Sequence, residues 1–136
     1  MNLVVSNEVL EHVAQPMHGL SEMHRVLAPG GVLLMTIPFC VFHDKNVERA
    51  RMENGRVVHI MPPMYHDNPI DPKGSLVFTD SGWEVLDQMR AVGFTDVELL
   101  LYWSMVYGHL GGPLPLFRAT RPVRSQAQTF KSRSES

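Results

Sequence analysis

Cysteine is nearly absent: Cys40 stands alone among 136 residues. One thiol cannot make an internal disulfide, and it excludes a cysteine-based metal cluster. Long apolar runs are missing too. The longest, residues 32–42, is interrupted by Thr36, Pro38 and Cys40. That is far short of the roughly 20 residues that span a bilayer. No basic segment followed by an apolar stretch opens the chain, so no secretory signal is expected. The expectation is a cytoplasmic protein with no membrane partner. Positive charge is scarce over residues 1–117, which hold 7 Lys and Arg against 13 Asp and Glu. So acidic a body argues against nucleic acid as a partner. Residues 118–136 reverse the balance, with 5 basic residues against 1 acidic. From Ser125 onward they are rich in Ser, Gln and Thr. Such a segment buries too little to offset its ordering entropy. A disordered basic tail is expected over residues 121–136, behind a folded body at 1–120.

What is present is a strongly apolar body. Apolar residues make up 44% of the chain and charged residues 19%. That composition and length suit one domain with its own core. Leu3, Val4 and Val5 read as a short buried strand that feeds a loop at Ser6 and Asn7. Pro16 suits a first helical turn, and Met17, Leu20, Met23, His24 and Leu27 then recur at helical spacing. Pro29, Gly30 and Gly31 stop the helix. Residues 32–37 read as a second buried strand, closed by Pro38. Strand, helix, strand is a βαβ unit, and near-continuous apolar strands suggest a parallel sheet covered on both faces.

The pattern then weakens over residues 39–78, which carry Pro62, Pro63, Pro69 and Pro72. A segment this long without regular structure is often a functional lid. Within it, residues 47–52 suggest a short helix and residues 76–78 a short extended piece. Ser81 and Glu84 have capping-box spacing for a further helix, which Gly93 ends. Residues 96–107 are strand-like, with Val97, Leu99, Leu101 and Trp103 on one side. After Gly108, Gly111, Gly112 and Pro113, residues 114–120 read as a last strand.

Residues 3–38 (LVVSNEVLEHVAQPMHGLSEMHRVLAPGGVLLMTIP) carry VLEHV and HRVL-x-PGG signatures around the βαβ unit. They resemble the fourth strand, fourth helix and fifth strand of a class I S-adenosylmethionine-dependent methyltransferase, in its type 11-like branch. Residues 62–94 resemble that branch's segment up to its last helix. The strand pair near 96–120 resembles the terminal antiparallel hairpin. The resemblance implies an α/β fold that is the C-terminal part of a Rossmann-like methyltransferase: parallel strands with a helix crossover, then a terminal antiparallel pair. It implies S-adenosyl-L-methionine as cofactor and a small-molecule methyl acceptor. The family's first strand and its G-x-G-x-G turn have no counterpart in this sequence. The expectation is therefore a truncated form, or a non-catalytic remnant or partner-binding subunit keeping half of the fold. In either case the edge at Leu3, Val4 and Val5 invites self-association.

Candidate site residues follow. Ligands of parallel α/β sheets sit beyond the carboxyl ends of the strands. By the resemblance, Ser6, Asn7 and Glu8 there border the cofactor's methionine end; as a bare sequence they are equally ordinary turn chemistry. Glu8, Glu11 and His12 lie at i, i+3 and i+4, which share a face in a helical turn. Two carboxylates and an imidazole could hold a divalent cation, or be solvated acids near a helix start. The E-x-x-E-H string resembles one in ubiquinone-pathway O-methyltransferases, which implies a magnesium-type ion there. In the long segment, Tyr65 and His66 are the catalytic candidates. His66 is a possible general base, on a segment that could fold over the acceptor.

Overall fold

The computed structural model of the chain describes residues 1–123. The expected tail at 121–136 lies mostly outside the described residues. Strand β1 (Leu3–Asn7) leads through a short 3-10 turn (Leu10–His12) to helix α1 (Pro16–Val26) and strand β2 (Val32–Thr36). Short strands follow: β3 (Val47–Glu48), β4 (Ala50–Glu53), β5 (Arg56–His59), β6 (Tyr65–His66), β7 (Ser75–Leu76) and β8 (Thr79–Asp80). Helix α2 (Glu84–Ala91) and the hairpin β9 (Thr95–Tyr102) and β10 (Leu114–Thr120) complete the described chain.

The main sheet has the order β1-β2-β10-β9. β1 and β2 are parallel, with Leu3 opposite Val32 and Asn7 opposite Thr36. β10 runs antiparallel to both β2 and β9. The expected parallel pair, helix crossover and terminal antiparallel pair are all present. Register puts Val4, Ser6, Leu33, Met35, Phe117 and Ala119 on one face. Leu20 of α1 and Val85 and Met89 of α2 pack with that face into one buried core. Each such large side chain taken fully from water contributes about 1.5–3 kcal/mol.

The sheet is not covered on both faces among the described residues. Both helices join the core on the same side, and Leu3 and Val5 on the other face are 52% and 66% exposed. Gly30 and Gly31 turn the chain between α1 and β2. Gly30 has φ +79°, and a Cβ on Gly31 would come within 2.9 Å of the Ala28 carbonyl oxygen. Arg121, at the start of the expected tail, is bonded into the body. Its Nη1 donates to the carbonyls of His24, Arg25 and Leu27. A cation there satisfies the free carbonyls and the negative end of the α1 dipole.

Residues 47–52 are not helical: β3 pairs with β8, and β4 with β5. The cause lies just beyond, where Glu53 opposes Arg56 across a two-residue turn. Asn54 and Gly55 have φ +49° and +74°, which is what a tight hairpin turn matching the strand twist needs. The long segment, with β8 directly after it, folds into three two-stranded ribbons, β3-β8, β4-β5 and β6-β7. Phe78 N donates to the Glu11 carbonyl at 2.8 Å, which fastens these ribbons to the 3-10 turn. The expected extended piece at 76–78 is shorter than drawn from sequence, since β7 stops at Leu76.

The expected capping box at Ser81 and Glu84 does not form. The α2 N-terminus makes no side-chain cap of its own. The Glu84 carboxylate instead accepts from Asn46 N and Lys45 Nζ, each at 3.0 Å. Those two bonds, the backbone one first, hold its pKa below the usual carboxylate value. Asn46 Oδ1 accepts from Gly82 N at 2.8 Å. The long segment thus supplies the groups that the helix start would otherwise supply itself.

Candidate functional site

Two separate clusters gather the sequence candidates. The first lies at the carboxyl ends of β1 and β2, where parallel α/β sheets place their ligands. A cavity of about 370 Å³ opens there, lined by Asn7, Glu8, Thr36, Pro38, Phe39 and Tyr102 among others. Register explains the pairing, because Asn7 stands opposite Thr36. The Thr36 hydroxyl donates to Asn7 Oδ1, and Glu8 N donates to the Thr36 carbonyl at 3.0 Å. Glu8 has φ +50°, a left-handed conformation that costs a non-glycine residue about 1–3 kcal/mol. Strand alternation turns Ser6 the other way, so it is buried on the core face with no hydrogen-bond partner for its hydroxyl among the described residues. Asn7 and Glu8 line the cavity and Ser6 does not.

Thr36 and Tyr102 were not candidates from the sequence. Thr36 could have been found from the parallel pairing of the two strand ends. Tyr102 arrives from β9, and no local signal marks it.

The second cluster is Glu11, His12 and His66. Glu8 is not part of it, because its positive φ lies ahead of the 3-10 turn and breaks the helical spacing. The expected set of Glu8, Glu11 and His12 is therefore replaced by one in which His66 arrives from β6. One ligand atom from each of the three lies within 4.8 Å of the others. His12 Nε2 is 3.5 Å and His66 Nδ1 is 3.8 Å from Glu11 Oε1. The two imidazoles meet edge to face, with ring centres 5.0 Å apart. Glu11 is 1% exposed, and neither carboxylate oxygen has a hydrogen-bond partner among the described residues. Burial is the main cause and pushes its pKa up, opposed in part by the neighbouring His12.

Tyr65 precedes His66 on β6 and is half exposed. The two border a cavity of about 350 Å³ that shares no lining residue with the cavity at Asn7 and Glu8. The structure does not bring Tyr65 and His66 over the strand ends, as the sequence led one to expect. β6 pairs with β7, so His66 is held beside Glu11 instead.

Comparison with known proteins bears on the first cluster. Residues 1–35 match the family model described as a methyltransferase domain. The solved structure of PigF with SAH superposes with a TM-score of 0.51 and 14% identity, over 88% of this chain and 30% of that one. An S-adenosylmethionine-dependent methyltransferase from Mesorhizobium loti superposes with a TM-score of 0.55 and 15% identity, over 89% of this chain and 62% of that one. This chain has the fold of part of these S-adenosylmethionine-dependent methyltransferases. It spans about a third and three-fifths of the lengths of those two methyltransferases. No curated protein matches it in sequence. The methyltransferase-domain match contains β1, the 3-10 turn, α1 and most of β2. Asn7, Glu8, Glu11 and His12 lie inside it, and Tyr65 and His66 outside. No helix among the described residues is long and apolar enough to cross a membrane.

Proposed function

We propose that this chain supplies the β1–β2 edge of an S-adenosylmethionine-dependent methyltransferase site acting on a small molecule. One observation carries the reading: Asn7 and Glu8, inside the matched segment, line a cavity at the carboxyl ends of two parallel strands. S-adenosyl-L-methionine would supply an electrophilic methyl group. Asn7, fixed by the Thr36 hydroxyl, and the Glu8 carboxylate would border its methionine end. Methyl transfer asks mainly for position, with the acceptor held in line. Phe39 and Tyr102 give that cavity flat apolar walls suited to a small acceptor. A proton-handling role for Tyr65 and His66 is not part of the reading, since they line another cavity.

The test is a titration of the isotopically labelled chain with S-adenosylhomocysteine, followed by amide chemical shifts. Weak binding is expected, with Kd on the order of millimolar. The shifts should cluster at Asn7, Glu8 and Thr36, and Asn7→Ala should remove them. Shifts confined to another part of the molecule, or none, would refute the reading.

A second reading, a partner-binding subunit, draws on the exposed Leu3 and Val5 at the sheet edge. An unpaired edge with apolar side chains is a template for strand addition. Sedimentation should then show self-association that Val5→Lys removes. A monomer at every concentration would eliminate this reading.

A further inference from the structure

We propose that Glu11, His12 and His66 bind one divalent transition-metal ion of the zinc class. The magnesium-type site expected at Glu8, Glu11 and His12 does not fit, because Glu8 stands outside the cluster and His66 stands in it. The donor set is then one carboxylate oxygen and two imidazole nitrogens. Magnesium prefers an all-oxygen octahedron, whereas imidazole suits zinc, iron and nickel.

Four observations point the same way. First, zinc ligands at about 2.0–2.2 Å in a tetrahedral arrangement stand about 3.3–3.6 Å from one another. The two distances to Glu11 Oε1, 3.5 and 3.8 Å, are close to that, and the three ligand atoms lie within 4.8 Å of one another, so the two imidazoles would draw together on the ion. Second, His12 Nδ1 lies 2.8 Å from the Leu76 carbonyl. That contact makes Nδ1 the donor and leaves a lone pair on Nε2, the nitrogen facing Glu11. A backbone carbonyl orienting the far nitrogen is the usual support of a metal-binding histidine. Third, Glu11 is a nine-tenths-buried carboxylate with no hydrogen-bond partner for either oxygen among the described residues. A buried charge is costly unless it is paired or holds a metal. Fourth, the ligands sit on elements already tied together: Phe78 N donates to the Glu11 carbonyl, and Val77 N to the Met64 carbonyl just before β6. His66 also borders the 350 Å³ cavity, and a zinc ion on three protein ligands takes water as its fourth.

The inference does not rest on methyl transfer, and its readout needs no cofactor. The probe is Co2+ added to the metal-stripped full chain, with visible absorption followed and Zn2+ and Mg2+ as competitors. One Co2+ per chain should give visible bands. Zn2+ should abolish them, and millimolar Mg2+ should not. His66→Ala should weaken binding at least about tenfold. Zn2+ should raise the Tm of the wild type and not that of His66→Ala. Because His66 is half-buried, that variant keeps its fold where Glu11→Gln risks losing it. Absent bands, displacement by Mg2+, or undiminished binding in His66→Ala would each overturn the proposal; the last would mean that other histidines hold the ion.

Discussion

The sheet-and-helix layer and the segment at residues 39–78 are built on different principles. In the layer, apolar side chains at regular spacing from β2, β10, α1 and α2 meet in one buried cluster. In the segment only Ala50 and Val77 are buried apolar residues. Its order comes from tight turns and a few polar bonds, such as those from Asn46 and Arg49. The first kind of structure is one cooperative core, and the second is a set of short ribbons docked on it. The proposed metal site spans both, with Glu11 and His12 on one side and His66 on the other.

Substitutions can separate the two. The largest effect belongs to the layer. Phe117 is fully buried between Met35 and Leu99 in the register. Phe117→Ala should cost about 3–5 kcal/mol in denaturant unfolding, while Val58→Ala in β5 should stay within about 0.5 kcal/mol. Equal losses would erase the distinction. An intermediate effect belongs to the joint between the regions. A Cβ on Gly82 would lie 2.2 Å from the His43 carbonyl oxygen and 2.7 Å from that of Lys45. Backbone cannot yield cheaply, so Gly82→Ala should cost about 1–3 kcal/mol. Hydrogen exchange should locate the loosening at residues 43–46 and the start of α2, with β2 and β10 unchanged.

The smallest effect concerns pH and lies wholly in the layer. His24 packs edge to face on Phe94, and its pKa is lowered by burial first and by the Arg121 charge second. The native state therefore refuses a proton that the unfolded chain accepts. Its contribution to stability is full above the ordinary value of 6.5 and is lost as pH falls below it toward the depressed native value. Unfolding at stepped pH should show that loss, and His24→Gln should flatten this part of the slope. An unchanged slope would assign the titration elsewhere.

The same division governs what the sequence could tell. Apolar runs and helical spacing disclosed β1, α1, β2 and the terminal hairpin, because each carries apolar residues at the period of its element, with one face of each in the common core. Burial did not dictate residues 47–52. The Asn54-Gly55 turn that makes them strands was visible, but its flanks, Arg51, Glu53 and Arg56, lack the apolar alternation that usually accompanies a hairpin. Asn46 pre-empts the expected cap of α2 from 36 residues before its Gly82 partner. The strand ends at Asn7 and Glu8 were legible from the strand pattern and the family resemblance together. Glu11 and His12 were half of the reason to look for a metal, yet Glu8 was an illusion of spacing. His66 joins them from 54 residues beyond His12 through ribbon pairing, which no local pattern encodes.

The strand order has a consequence for how the chain is made. β10 lies between β2 and β9, so of these four strands an inner one leaves the ribosome after the others. Until residues 114–120 emerge, β2 has a bare flank and β9 has no neighbour, with residues 37–113 already released. Closing that gap joins distant parts of the chain, a slow step in sheet proteins. A nascent chain halted before Leu114 would leave both strands without the neighbour that β10 gives them.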